Sequence, residues 1–134
     1  MKSYKVNVKD IKPRERLTGG SGWNNMLVQV LINQDLAGSR RMVIGRTVFP
    51  PGANHDWHRH AEAEEFQLLI EGTGTVLNAD EEIAVGPGDI VFTPANEWHG
   101  FRNDSDTEPA VLLWGWGGAG SIDTANYEAR EEHA

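Results

Sequence analysis

Gly52-Ala53-Asn54-His55-Asp56-Trp57-His58-Arg59-His60-Ala61-Glu62-Ala63-Glu64-Glu65-Phe66-Gln67 holds three of the chain's five histidines. In an extended strand, side chains at i and i+2 share a face, so His58 and His60 point together. Two imidazoles on one face offer half of a metal site. Glu65 follows after a turn-length gap and opens the next strand, so a hairpin could bring its carboxylate back against the pair. A second segment, Gly88-Asp89-Ile90-Val91-Phe92-Thr93-Pro94-Ala95-Asn96-Glu97-Trp98-His99-Gly100-Phe101-Arg102-Asn103, supplies one more imidazole, His99. Three neutral nitrogens and one hard oxygen suit a single divalent transition metal, whether Fe, Mn, Ni, Co, Cu or Zn. A His-x-His pair alone is a weak signal, since two nearby histidines are often just solvated side chains. The glycines and the proline spaced around these histidines weaken that bland reading.

Outward from these segments, Gly and Pro punctuate the whole chain, at Gly19-Gly20, Pro50-Pro51-Gly52, Gly72, Gly74, Gly86-Pro87-Gly88 and Pro94. Short apolar or alternating runs lie between them. The pattern predicts strands at Tyr4–Val8, Met26–Ile32, Met42–Phe49, Glu65–Ile70, Gly74–Asn78, Glu82–Val85, Ile90–Thr93, His99–Asn103 and Val111–Trp116. Evenly spaced short strands with turn signals between them indicate an all-β sandwich or barrel. Asp123 to Ala134, rich in Ala, Glu and Arg, is the best helix candidate, or else a frayed tail. No linker or solenoid-length repeat is visible, so residues 1–134 read as one domain.

The chain has 134 residues, enough for a core, with 39% hydrophobic and 24% charged residues, as in ordinary soluble proteins. A net charge of −8 repels phosphate backbones and anionic lipid, which argues against nucleic-acid or membrane partners. With no cysteine, disulfides, thiolate metal sites and cysteine nucleophiles are excluded. Any metal must be held by imidazole and carboxylate. Met1 to Asp10 is polar and lacks the apolar core of a signal peptide, and no apolar run reaches membrane-spanning length. A soluble cytoplasmic protein is the expectation.

The two histidine segments resemble the paired motifs of the cupin superfamily. The first motif, G-x5-H-x-H-x(3,4)-E-x6-G, is matched by Gly52, His58, His60, Glu65 and Gly72. The second, G-x5-P-x-G-x2-H-x3-N, is matched by Gly88, Pro94, His99 and Asn103. Asn96 stands where that motif has its middle Gly, and Asn tolerates the left-handed backbone that Gly provides. The motifs cover residues 52–72 and 88–103. The resemblance implies a small single-domain cupin: a jelly-roll β-barrel with a short C-terminal tail or helix. A metal would lie inside it, held by His58, His60, Glu65 and His99. Glu64 also fits the looser spacing of the first motif, but only Glu65 keeps the six-residue interval to Gly72. Small cupins of this kind commonly form homodimers.

Around the ligands, His55 reads as a neighbouring base or extra ligand, or as a plain loop histidine near the barrel mouth. Gln67 shares the parity of Glu65 and should face inward. A buried amide needs partners, so Gln67 is a candidate for holding a substrate oxygen or a water, or is a satisfied core amide. Phe101 shares the parity of His99 and should wall the pocket. Trp114 and Trp116 share a face with Leu112, as an aromatic pocket wall or as packing. Trp57 and Trp98 point away from the metal by parity. Arg46 could bind a substrate carboxylate if its strand turns that face inward; otherwise it is solvated.

The resemblance implies a metal-dependent enzyme acting on a small organic molecule, with a dioxygenase of a diketone, enol or aromatic substrate placed first. An isomerase, lyase, cyclase or decarboxylase is the second reading. A ligand- or sugar-binding barrel without catalysis is the third, and the intact ligand set argues against it.

Overall fold

Met42–Phe49 alternates between outer and fully buried positions along its length, the period-two pattern of a strand with one face in a core. The same alternation over Glu65–Leu69 and the buried run Gly74–Leu77 build the two walls of the molecule. A computed structural model describes residues 4–13, 17–18 and 23–130. Its strands are β1 Leu17–Thr18, β2 Trp23–Ile32, β3 Met42–Phe49, β4 Asn54–Arg59, β5 Glu64–Glu71, β6 Gly74–Asn78, β7 Glu81–Val85, β8 Ile90–Thr93, β9 His99–Arg102, β10 Ala110–Gly117 and β11 Glu128–Ala129. Two four-residue helices, α1 Gln34–Ala37 and α2 Ile122–Ala125, complete it.

The strands pair antiparallel in the order β7-β6-β9-β4-β2-β3-β10-β5-β8, with β1 on β2 and β11 on β4. β2 belongs to both walls. Its start pairs with β4 and the stretch from Leu27 onward pairs with β3, so the ribbon folds over on itself there. Side chains also tie β6 to the edge strand β8: Asn78 Nδ2 donates to the Phe92 carbonyl and Thr93 Oγ1 to Asn78 Oδ1. This is a jelly-roll barrel, as the motifs imply.

Met26, Val28, Phe49, Leu69, Val76, Phe101 and Leu112 meet between the walls, with the Phe49 and Phe101 rings 4.8 Å apart. Each such side chain contributes about 1.5–3 kcal/mol on burial. A second cluster of Val43, Ala63, Trp116, Ala119 and Ala125 packs at the other end. Two motif residues serve the frame alone. Gly72 has φ +86°, and a Cβ there would sit 2.3 Å from the Pro109 carbonyl oxygen. Buried Asn103 donates to the carbonyls of Phe49, Pro50 and Glu108, joining the turn after β3 to the loop before β10.

Two expectations need correction. Tyr4–Val8 is not a strand. Val8–Asp10 forms a 3-10 turn, and the Gln29 side chain takes the Val8 and Ile11 carbonyls, satisfying backbone groups that a ladder would otherwise use. The helix expected over Asp123 to Ala134 is only the four residues of α2, with Ser121 and Thr124 forming a capping box. Asn126 then adopts φ +70°, which ends the helix, and β11 pairs back onto β4. Residues 131–134 lie outside the described residues. Among those described, no helix is long and apolar enough to cross a membrane.

Candidate metal centre and its cavity

β4 and β9 run side by side with His58 opposite His99, so two of the three histidines meet by strand register alone. His60 follows the end of β4 and is likewise buried. The turn before β9 braces it: Asn96 takes φ +65°, the left-handed conformation expected of it, and donates its N–H to the His60 carbonyl. The ring nitrogens of His58, His60 and His99 can converge within 4.8 Å of one another, a group able to hold a metal ion. Glu65 enters from β5 in the opposite wall. Its carboxylate lies 3.0 Å from His99 Nε2 and 3.5 Å from His60 Nε2. Glu64, its neighbour, is exposed, so the carboxylate that reaches the histidines is that of Glu65.

The tautomers follow from backbone carbonyls, which can only accept. His58 Nδ1 donates to Asp56 O at 2.8 Å, His60 Nδ1 to Asn126 O at 2.7 Å and His99 Nδ1 to Glu97 O at 3.0 Å. In the neutral rings the proton is therefore on Nδ1, and each Nε2 is left as a lone pair. Those lone pairs and the Glu65 oxygens are acceptors gathered in one place. His99 Nε2 is fully buried with no well-aligned hydrogen bond. A cation resolves that conflict, so the donor set fits a divalent metal, and the three carbonyls are the partners that orient histidine ligands.

The histidines differ in charge state. Burial, reinforced by the neighbouring imidazoles, holds His58 and His55 well below the ordinary 6.5. Burial also lowers His60, with Glu65 opposing. His99 goes the other way. Burial is the largest influence and pulls it down, but the Glu65 carboxylate and the Glu97 carbonyl together outweigh it and lift it above 6.5.

The cluster opens onto a cavity of about 310 Å³ between the two walls. Gln67, Phe101, Trp114 and Trp116 all line it. Gln67 is buried and reaches only a long 3.5 Å contact with the Gly100 carbonyl. Trp57 and Trp98 lie outside, where the guanidinium of Arg130 sits 5.4 and 5.9 Å from their rings. Arg46 must be corrected. The inner face of β3 carries Val43, Thr47 and Phe49, so Arg46 faces out and donates to Gln29 Oε1 at 3.0 Å.

His55 is not a loop residue. It lies in β4, lines the cavity and stacks on His58 with ring centroids 3.6 Å apart. A bulge between His55 and His58 puts two residues of opposite parity on one face. Sequence reasoning missed Tyr127. Its hydroxyl lies 2.9 Å from His55 Nε2, and its ring is 5.2 Å from that of His58. No motif marks it; the pairing of β11 with β4 brings it over the mouth.

A double-walled antiparallel barrel with a buried His cluster at one end defines a class of protein, and sequence comparison agrees. The family model for the cupin domain matches residues 45–116, and the chain belongs to the cupin family. It is 24% identical over 109 residues to an oxalate-binding protein of Thermotoga maritima, covering 80% of this chain and 88% of that one. It is 31% identical over 93 residues to a gentisate 1,2-dioxygenase of Aquipseudomonas alcaligenes, covering 66% of this chain but only 26% of the dioxygenase. Among solved structures it is similar to a polyketide cyclase of Streptomyces resistomycificus, with a TM-score of 0.72 and 25% identity over 86% of this chain and 79% of the cyclase.

Proposed function

We propose that the protein is a metal-dependent enzyme acting on a small organic molecule in the barrel cavity, as a dioxygenase of an enol, diketone or aromatic substrate. One observation carries this reading: three buried histidines spend their Nδ1 protons on backbone carbonyls and gather their remaining nitrogens, with Glu65, around one point beside the cavity. His58, His60, Glu65 and His99 would hold the metal. When bound, a redox-active metal polarises substrate oxygens and supplies the electron route to dioxygen. The chain's own residues do the rest. The Asp56, Asn126 and Glu97 carbonyls fix the histidine rings. Met26, Val28, Phe49 and Leu112 exclude water from the far end of the cavity. Gln67 is placed to orient a substrate oxygen. The partial likeness to a gentisate dioxygenase supports the same reading.

A non-redox isomerase, lyase, cyclase or decarboxylase is the second reading, favoured by the His55–Tyr127 contact. Two groups able to exchange a proton stand 2.9 Å apart beside the ligands. The likeness to a polyketide cyclase points the same way. The protein would act as a homodimer, joined through the apolar outer face of β5 and β8.

Elemental analysis of protein purified without added metal, followed by an oxygen-electrode screen of diketones, catechols and aromatic acids, separates these readings. Stoichiometric metal with substrate-dependent oxygen uptake is expected. Metal with turnover but no oxygen uptake favours the second reading. Full metal occupancy in His58→Ala, His60→Ala and His99→Ala variants that remain folded would refute the ligand assignment.

A further inference from the structure

The lining of the cavity is distinctive in charge as well as in size. Apart from the histidines, the titratable groups on its described lining are Glu65, Asp35, Asp123 and Tyr127; among the described residues no lysine or arginine lines it. Asp35 and Asp123 are the exposed acids on its described lining. Arg46, which could have met a carboxylate had its face turned inward, is on the outer face and donates to Gln29. Away from the histidines and Glu65 the lining is largely apolar, with Thr47 and Gln67 as neutral polar groups, so an ion placed there in the metal-free protein would be desolvated without a basic side chain beside it.

The shape is equally specific. A Cβ on Gly45 would fall 2.1 Å from Trp114 Cζ2, so glycine lets the indole lie flat against β3. Trp114 Nε1 donates to Thr47 Oγ1 at 2.8 Å, which fixes the ring. Trp116 stacks beside it, its ring centroid 5.2 Å from that of Trp114 and its plane tilted by 25°. The indole of Trp114 so held is a flat surface, and planar rings stack on such surfaces. The volume of about 310 Å³ equals that of about ten liquid waters at about 30 Å³ each, room for one or two fused rings.

We propose that the cavity takes a neutral, planar, largely apolar ligand of one or two rings, with its oxygen toward the histidines, and discriminates against carboxylates and phosphates. Only the placing of the oxygen rests on the metal reading; the preference for a neutral ring rests on the walls. This ligand class differs from the oxalate in the name of the Thermotoga relative.

Calorimetric titration at pH 7.5 with 2-naphthol, neutral at that pH, and 2-naphthoate, its anionic counterpart of the same ring system, tests the inference. Zinc-loaded and metal-stripped protein are titrated in parallel, with zinc content measured separately. In the metal-stripped protein 2-naphthol is expected to bind at least tenfold more tightly than 2-naphthoate, and Trp114→Leu to weaken it at least tenfold. Equal or tighter binding of 2-naphthoate by the stripped protein, no binding of 2-naphthol at millimolar concentration, or an unaltered affinity in Trp114→Leu would overturn the proposal. Failure to take up zinc would instead refute the metal site, and the stripped protein would still decide the preference of the walls.

Discussion

His99 Nε2 and Glu65 Oε2 lie 3.0 Å apart between the two walls, both residues buried, with Nδ1 of the same imidazole held by the Glu97 carbonyl. In the metal-free protein a proton on His99 relieves this pair, which is why its affinity for protons is raised. A metal must displace that proton, so metal affinity should rise with pH until His99 is neutral. Zinc titrations with a competing chelator at pH 5.5, 6.5 and 7.5 should show at least a tenfold gain across the series. Glu65→Gln should weaken zinc binding and flatten its pH dependence. A pH-independent affinity in the unaltered protein would contradict this coupling.

Stability of the metal-free protein should follow the other histidines. His55, His58 and His60 have folded values below 6.5, so the unfolded chain binds protons that the folded one does not. The stabilisation they give is complete above about pH 6.5 and is lost as pH falls toward their lowered values. His99 opposes this: its contribution is complete below 6.5 and fades as pH rises through its raised value. Three groups outweigh one, so thermal midpoints should drop as pH falls from 7 to 5. A midpoint that rises over that interval would show that His99 dominates.

Period-two geometry made His58, Gln67, Phe101, Trp114 and Trp116 legible in the sequence, because a strand face follows from parity once one residue is placed. His55 broke that rule through a bulge, which leaves no mark in composition. Arg46 shares a strand with Thr47 and Phe49, whose buried side chains settle which face is inner. Tyr127 depends on β11, a two-residue strand too short to carry any pattern. The alternation of Tyr4–Val8 was misleading, since Gln29 is what satisfies the chain just beyond it.

The segment from Ser121 to Arg130 should belong to the metal site although it lies beyond both motifs. Asn126 supplies the carbonyl that holds His60, and Arg59 pairs with Glu128 at 2.9 Å to keep the segment on β4. Losing an outer partner of a ligand typically costs about 10–100-fold in metal affinity. Removal of residues 121–134 should weaken zinc binding by that factor while the barrel's circular dichroism persists. Asn126→Gly keeps both the carbonyl and access to φ +70°, and should bind zinc nearly as the unaltered protein does. Equal zinc affinity in the truncated protein would dismiss the segment as a bystander.

Phe92 and Ile90 are 57% and 62% exposed on the edge strand β8, beside Phe66 and Leu68 in register, and Ile70 on β5 is 51% exposed. A continuous apolar patch on one sheet face is suited to a second copy of the same face. Sedimentation at micromolar concentration should give a dimer, and Phe92→Asp should shift it toward monomer without changing zinc affinity. A monomeric unaltered protein would remove the proposal.

Gln67 offers the sharpest separation of function from stability. It lies on β5 two residues beyond Glu65, on the same inner face, and its amide finds only the long contact to Gly100. A buried amide so poorly paired costs on the order of 1 kcal/mol or more. Gln67→Leu removes that cost and keeps a similar volume, so the thermal midpoint should hold or rise. Zinc stoichiometry should not change, because the three histidines and Glu65 are untouched. Turnover on the true substrate should fall at least tenfold, since the oxygen that Gln67 orients would be left facing a methyl group. Unchanged kinetics alongside unchanged metal would return Gln67 to the core as packing, and a lowered midpoint would show that its contact with Gly100 is stronger than its length suggests.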